Sequence, residues 1–84
     1  MNGIIFRRND ISAKAKGIYA FLIIYESPIS KNDLGNFFKE GRDALNNAIK
    51  ELIENDYIYI HSVRDNKGKF IGSEIRMTNE KESL

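Results

Sequence analysis

The chain has 84 residues, 42% of them hydrophobic and 30% charged, which suits one small soluble globular domain with a modest core. It has no cysteine and one histidine, His61, so a disulfide framework, a thiolate nucleophile and a cysteine zinc site are excluded. The formal net charge of +1, from 13 Lys and Arg against 12 Asp and Glu, does not by itself mark a nucleic-acid binder.

The longest apolar run, Ile18 to Tyr25, falls well short of the ~20 residues of a membrane span and lies too far inside the chain for a signal sequence. No membrane association is expected, and the absence of cysteine fits the cytoplasm. No cofactor and no metal are expected either, because His61 alone cannot hold an ion.

Gly3-Ile4-Ile5-Phe6-Arg7-Arg8 is rich in β-formers and reads as a short N-terminal edge strand or an extended arm. Asn9-Asp10 breaks the pattern, and Ser12 suits an N-cap for a helix from about Ala13. Within that helix Ala15, Ile18, Tyr19, Leu22 and Ile23 recur at helical spacing. Phe21, Ile24 and Tyr25 widen the apolar surface beyond one stripe. Ser27-Pro28 stops the helix, since a residue before proline is pushed out of the α region.

Ser30 caps a second helix over Lys31 to Phe38, with Leu34, Phe37 and Phe38 as its apolar face. At about two turns it needs tertiary packing to exist. Gly41 then opens the best-patterned segment. Ala44, Leu45, Ala48, Ile49, Leu52 and Ile53 form one face of a third helix, while Arg42, Asp43, Asn46, Asn47, Lys50 and Glu54 form the other. Asn55-Asp56 ends it.

Tyr57 to Arg64 reads as a strand, Asp65 to Lys69 as a polar turn in which Asn66 or Gly68 takes positive φ, and Phe70 to Met77 as the returning strand. A domain of residues 1–79 is expected, with the tail 80–84 frayed. Helix, helix, helix and hairpin in this order predict an α+β winged helix-turn-helix, whose last helix enters the DNA major groove.

That register makes Arg42, Asp43, Asn46, Asn47 and Lys50 the candidate DNA contacts. Arginine pairs with guanine or phosphate and asparagine with adenine, while lysine suits phosphate. Asp43 either complements the helix N-terminus or accepts from a cytosine amine. The hairpin wing adds Arg64, Lys67 and Lys69, and Arg7 and Arg8 contribute if the arm lies on the same side. Tyr19, Tyr25, Phe37, Phe38 and Phe70 are read as core aromatics rather than base-stacking platforms. No Gly-rich phosphate loop and no paired catalytic groups stand out, so an enzyme is not expected.

Ile11-Ser12-Ala13-Lys14-Ala15-Lys16-Gly17-Ile18-Tyr19-Ala20 and Lys39-Glu40-Gly41-Arg42-Asp43-Ala44-Leu45 resemble a known family. It is the N-terminal winged-helix domain of phage and plasmid replication initiators of Gram-positive bacteria, the replisome-organiser or DnaD-like group. Glu51-Leu52, Tyr57 and Arg64-Asp65-Asn66-Lys67-Gly68-Lys69-Phe70 follow its Lys-Glu-Leu, Gly-Tyr and Arg-Asp-x-x-Gly-Arg-Phe pattern. Asp56 departs from it where glycine is usual, so a looser helix-to-strand corner is expected.

The resemblance implies double-stranded DNA binding by a phage or mobile-element protein, in replication or transcription. The small basic set makes a homodimer the expected binding form. The rival expectation is a protein-interaction module in which Phe21, Ile24 and Tyr25 form a surface for a second copy or a host protein.

Overall fold

The computed structural model describes residues 3–78, and within them the protein is α+β, with three α-helices followed by a two-stranded antiparallel hairpin. The order is a 3₁₀ helix (Gly3–Arg7), α1 (Ala13–Tyr25), α2 (Lys31–Gly35), α3 (Arg42–Glu54), β1 (Ile58–Arg64) and β2 (Phe70–Met77). This layout is compatible with a winged helix. The tail expected to fray, residues 80–84, lies outside the described residues.

The N-terminal strand is not formed. Gly3–Arg7 winds into a 3₁₀ helix that buries Ile5 completely, and tertiary burial thereby overrides the β propensity of Ile4, Ile5 and Phe6. Arg8 then ties this segment to the end of α3. It donates to both carboxylate oxygens of Asp10 (2.9 and 2.6 Å), to Asn55 Oδ1 (3.1 Å) and to the Tyr57 hydroxyl (3.2 Å). Lys16 Nζ donates to the Arg8 carbonyl. The Arg8 hydrogen bonds hold the Asp10 carboxyl below its ordinary pKa, and Asp10, followed by Tyr57, pushes the guanidinium still higher.

Ser12 caps α1, its hydroxyl accepting from Ala15 N–H at 3.1 Å. The cap is itself held by α3. Glu51 accepts from the Ser12 N–H (2.9 Å) and from its hydroxyl (2.7 Å), so one carboxylate fixes where α1 begins against the last turn of α3. Ser30 caps α2 in the same manner through Asp33 N–H. The helix is shorter than expected, closing at Gly35 because the chain turns through Asn36 and Phe37 towards α3.

The core joins every element. Ile5, Ile11, Ile18, Tyr19, Leu22, Leu34, Leu45, Ile49, Leu52, Ile58 and Ile75 are buried together with Ala15 and Ala48. Ile29, between α1 and α2, also belongs to it, and its carbonyl accepts from Ile75 N–H at 2.7 Å. That single bridge adds a residual third rung beside the hairpin. Ile53, expected on the α3 core face, is partly exposed in the last turn.

The corner after α3 is not loose. Asp56 adopts φ 63°, the left-handed conformation that glycine usually supplies. Its N–H bonds to the Ile53 carbonyl (3.0 Å) and that of Tyr57 to the Leu52 carbonyl (2.9 Å), a complete Schellman closure. Aspartate tolerates this region better than most residues, which is how the corner stays tight without a glycine.

Candidate nucleic-acid interface

The amphipathic division of α3 follows from its sequence. Leu45, Ala48, Ile49 and Leu52 face the core, which leaves Arg42, Asp43, Asn46, Asn47 and Lys50 all exposed on the other side. The helix opens at Gly41 without a side-chain cap, so its first N–H groups lack that partner. Asp43 lies in this first turn, where its charge complements the positive end of the helix dipole. Lys50 forms a long ion pair with Glu54 at 3.9 Å between two exposed side chains, an interaction of little energetic weight.

Arg42 and Asn46 do more than face outwards. They line a cleft of about 380 Å³ between α2 and α3, with Lys31, Asn32 and Asn36 on the opposite wall and Leu45 and Ile49 among its lining residues. Lys31, Asn32 and Asn36 were not among the residues singled out by spacing. The available signal was the cap at Ser30, which makes Lys31 and Asn32 the first residues of a helix entering beside α3.

The second basic group is the hairpin turn. Asp65 organises it by accepting from Lys67 N–H and Lys69 N–H, both at 2.9 Å, through one carboxylate oxygen. The Asp65 carbonyl takes Gly68 N–H at 3.0 Å, and Gly68 supplies the positive φ of 81°. Arg64 donates to the Gly68 carbonyl at 3.1 Å, so part of its guanidinium braces the turn. Lys67 and Lys69 are exposed. Thus the expected contacts fall into two sets, one on the outer face of α3, of which Arg42 and Asn46 line the cleft, and one on the hairpin.

Arg8 belongs to neither set. It is bound to Asn55 and Tyr57 at the far end of α3, about 20 Å from Arg42 by helical rise. Arg7 is exposed in the last turn of the 3₁₀ helix.

The aromatics divide differently from expectation. Tyr19 is buried and Phe38 partly buried, but Tyr25, Phe37 and Phe70 are exposed rather than core. Phe21 packs against Tyr25 (centroids 5.4 Å), Phe37 (5.0 Å) and Phe38 (5.3 Å), forming an aromatic cluster where α1 meets the α2–α3 turn. Ile24, one turn from Phe21, is 79% exposed. Phe21 and Phe38 are partly buried against the edge of the core, while Ile24, Tyr25 and Phe37 stay exposed.

Among the described residues no group of His, Asp and Glu side chains is placed to hold a metal ion, and no helix is long and apolar enough to cross a membrane. Comparison with known proteins finds no matching family model, curated protein or solved structure. The likeness to the replication-initiator group therefore rests on the residues quoted for it.

Proposed function

We propose that the chain is a winged helix-turn-helix protein that binds double-stranded DNA in the cytoplasm without catalysing a reaction. In this reading α3 enters the major groove, and the protein is a regulator or replication-initiation factor of a phage or mobile element. The carrying observation is the outer face of α3, where Arg42, Asp43, Asn46, Asn47 and Lys50 are exposed together over the first two and a half turns, before the exposed Ile53 of the last turn. Lys31 and Asn32 across the cleft suit the backbone beside that groove. The positive end of α3 and its uncapped N–H groups favour a nearby phosphate.

The basic set would neutralise only about four to six phosphates, so binding by one copy is modest and falls steeply with salt. The test is an anisotropy titration of duplexes enriched from a random pool, at fixed salt, with Arg42→Ala and Lys50→Ala. Each substitution is expected to weaken binding by about 1 kcal/mol, the scale of a lost base or phosphate contact. If neither does, α3 is not the reading helix. Failure of any duplex to enrich would overturn the DNA reading altogether.

One observation favours a second reading, a protein-interaction module that pairs with a second copy. The Phe21, Tyr25 and Phe37 cluster continues into exposed Ile24, a contiguous apolar surface of the kind that marks interfaces. Light scattering of Ile24→Glu separates the cases, since Ile24 is too exposed to be needed for folding. A dimer that becomes a folded monomer assigns this surface to self-association. A wild-type monomer removes the second-copy reading.

A further inference from the structure

The hairpin tip carries a feature that phosphate contact does not use. Phe70 is 54% exposed and Ile71 is 61% exposed, side by side at the start of β2 and directly after Lys67 and Lys69. Neither belongs to the core, which along β2 is served by Ile75 and, at its edge, by Met77. Two adjacent large apolar side chains at the far end of a hairpin lose hydrophobic stabilisation unless something covers them.

The backbone here is specifically shaped. Val63 pairs with Gly72 and Arg64 with Phe70, so Ile71 is the additional residue of a β-bulge. A bulge breaks the alternation of side chains and re-aims those beside it, here Phe70 and Ile71. The adjoining turn is held by the two N–H bonds to Asp65 Oδ1, by the Gly68 N–H and by the Arg64 guanidinium. The tip is thus an apolar pair on a braced turn, flanked by three cations: Arg64, Lys67 and Lys69.

We propose that Phe70 and Ile71 form a wedge that enters a base step from the minor groove, partly unstacking it and bending the duplex, while Arg64, Lys67 and Lys69 hold the flanking phosphates. This rests on the DNA reading above and adds a deformation to it. Charge selects the occupant, because a polyanion with an apolar interior satisfies both the cations and the wedge. Phenylalanine and isoleucine are among the side chains that open base steps, and such insertion bends DNA by about 20–90°. Flexible pyrimidine–purine steps yield at least cost, so the tip favours sites containing TA or CA.

The experiment uses a duplex of about 30 base pairs with a central TA step, short enough to stay straight unless a protein bends it. It carries end dyes for energy transfer, and a matched duplex has 2-aminopurine at the step. Wild type is expected to raise energy transfer and brighten 2-aminopurine. Phe70→Ala/Ile71→Ala is expected to bind while losing both signals, whereas Arg42→Ala loses affinity. Circular dichroism checks that the double variant folds, as the exposure of both side chains implies.

Absence of duplex binding by wild type overturns the DNA reading and the wedge with it. Binding to a duplex that stays straight, or a bend that survives the double substitution, overturns the wedge alone. Should the double variant lose binding, wild-type brightening of 2-aminopurine decides, and its absence overturns the wedge. Co-sedimentation with anionic vesicles in place of duplex binding would assign the tip to a lipid surface instead.

Discussion

Helices α1 and α3 are both 13 residues long, and they spend their surfaces differently. Helix α3 divides, up to the exposed Ile53 of its last turn, into a core face of Leu45, Ala48, Ile49 and Leu52 opposite a face of charges and amides. Helix α1 also buries one face, through Ala15, Ile18, Tyr19 and Leu22, but past Lys14 and Lys16 in its first turn its other face carries Phe21, Ile24 and Tyr25. From Gly17 to Tyr25 it has no charged residue at all. A polar outer face suits a hydrated, charged partner, whereas an apolar one gains only from being covered. The two helices therefore offer two kinds of surface, and the proposed DNA and self-association roles follow that division.

The comparison breaks most visibly in stability. Leu52→Ala on the core face of α3 is expected to cost about 2–5 kcal/mol, because the side chain is fully buried. Ile24→Glu on the outer face of α1 is expected to change a monomer's unfolding free energy, read by urea titration, by no more than about 0.5 kcal/mol. Comparable losses from both would show that α1 has a second buried face.

The helix starts sharpen it next. Ser12→Ala removes the α1 cap together with its bond to Glu51, and a loss of about 1–2 kcal/mol is expected by denaturant titration. Gly41→Ser at the start of α3 is expected to gain only a few tenths of a kcal/mol, since serine and glycine caps differ little.

The helix ends come third. Glu26 after α1 and Asp56 after α3 both hold positive φ, 61° and 63°. Each is expected to gain about 0.5–1 kcal/mol on change to glycine, as relief of left-handed strain exceeds the added freedom of the unfolded chain. Thermal melts of Glu26→Gly and Asp56→Gly check this.

The smallest effect is the acid limb of the latch between the N-terminal segment and the end of α3. Asp10 has a carboxyl pKa held below its ordinary 3.8 by Arg8, so its contribution is complete above that value. It is lost as pH falls through the lowered pKa of the folded state. Asp10→Asn is expected to flatten this part of the stability profile in melts run from about pH 5 to about pH 2.

Much of this was legible along the chain. Ser12 and Ser30 signalled their helix starts, the period of α3 assigned its faces except for Ile53, and Asp65 to Lys69 announced a turn with positive φ at Asn66 or Gly68, of which the structure uses Gly68. These are local signals, in which one residue and its neighbours within a turn supply the physical cause. The outer face of α3 was legible for the same reason. The far wall of its cleft was not, because Lys31 and Asn32 become neighbours of Arg42 only when α2 packs.

What the sequence determined by itself was therefore the three α-helices, the hairpin and the polar face of α3, since each depends on periodicity, capping or turn chemistry within a short stretch. The tertiary structure decided the rest. It turned Ile4-Ile5-Phe6 from a candidate strand into part of a 3₁₀ helix by burying Ile5, and it drew Arg8 onto Asn55 and Tyr57. It also locked Ser12 to Glu51, bridged Ile29 to Ile75 and left Phe70 and Ile71 uncovered at the hairpin tip. Each of these outcomes depends on residues distant in sequence competing for the same small core, and propensity carries no information about which of them is enclosed.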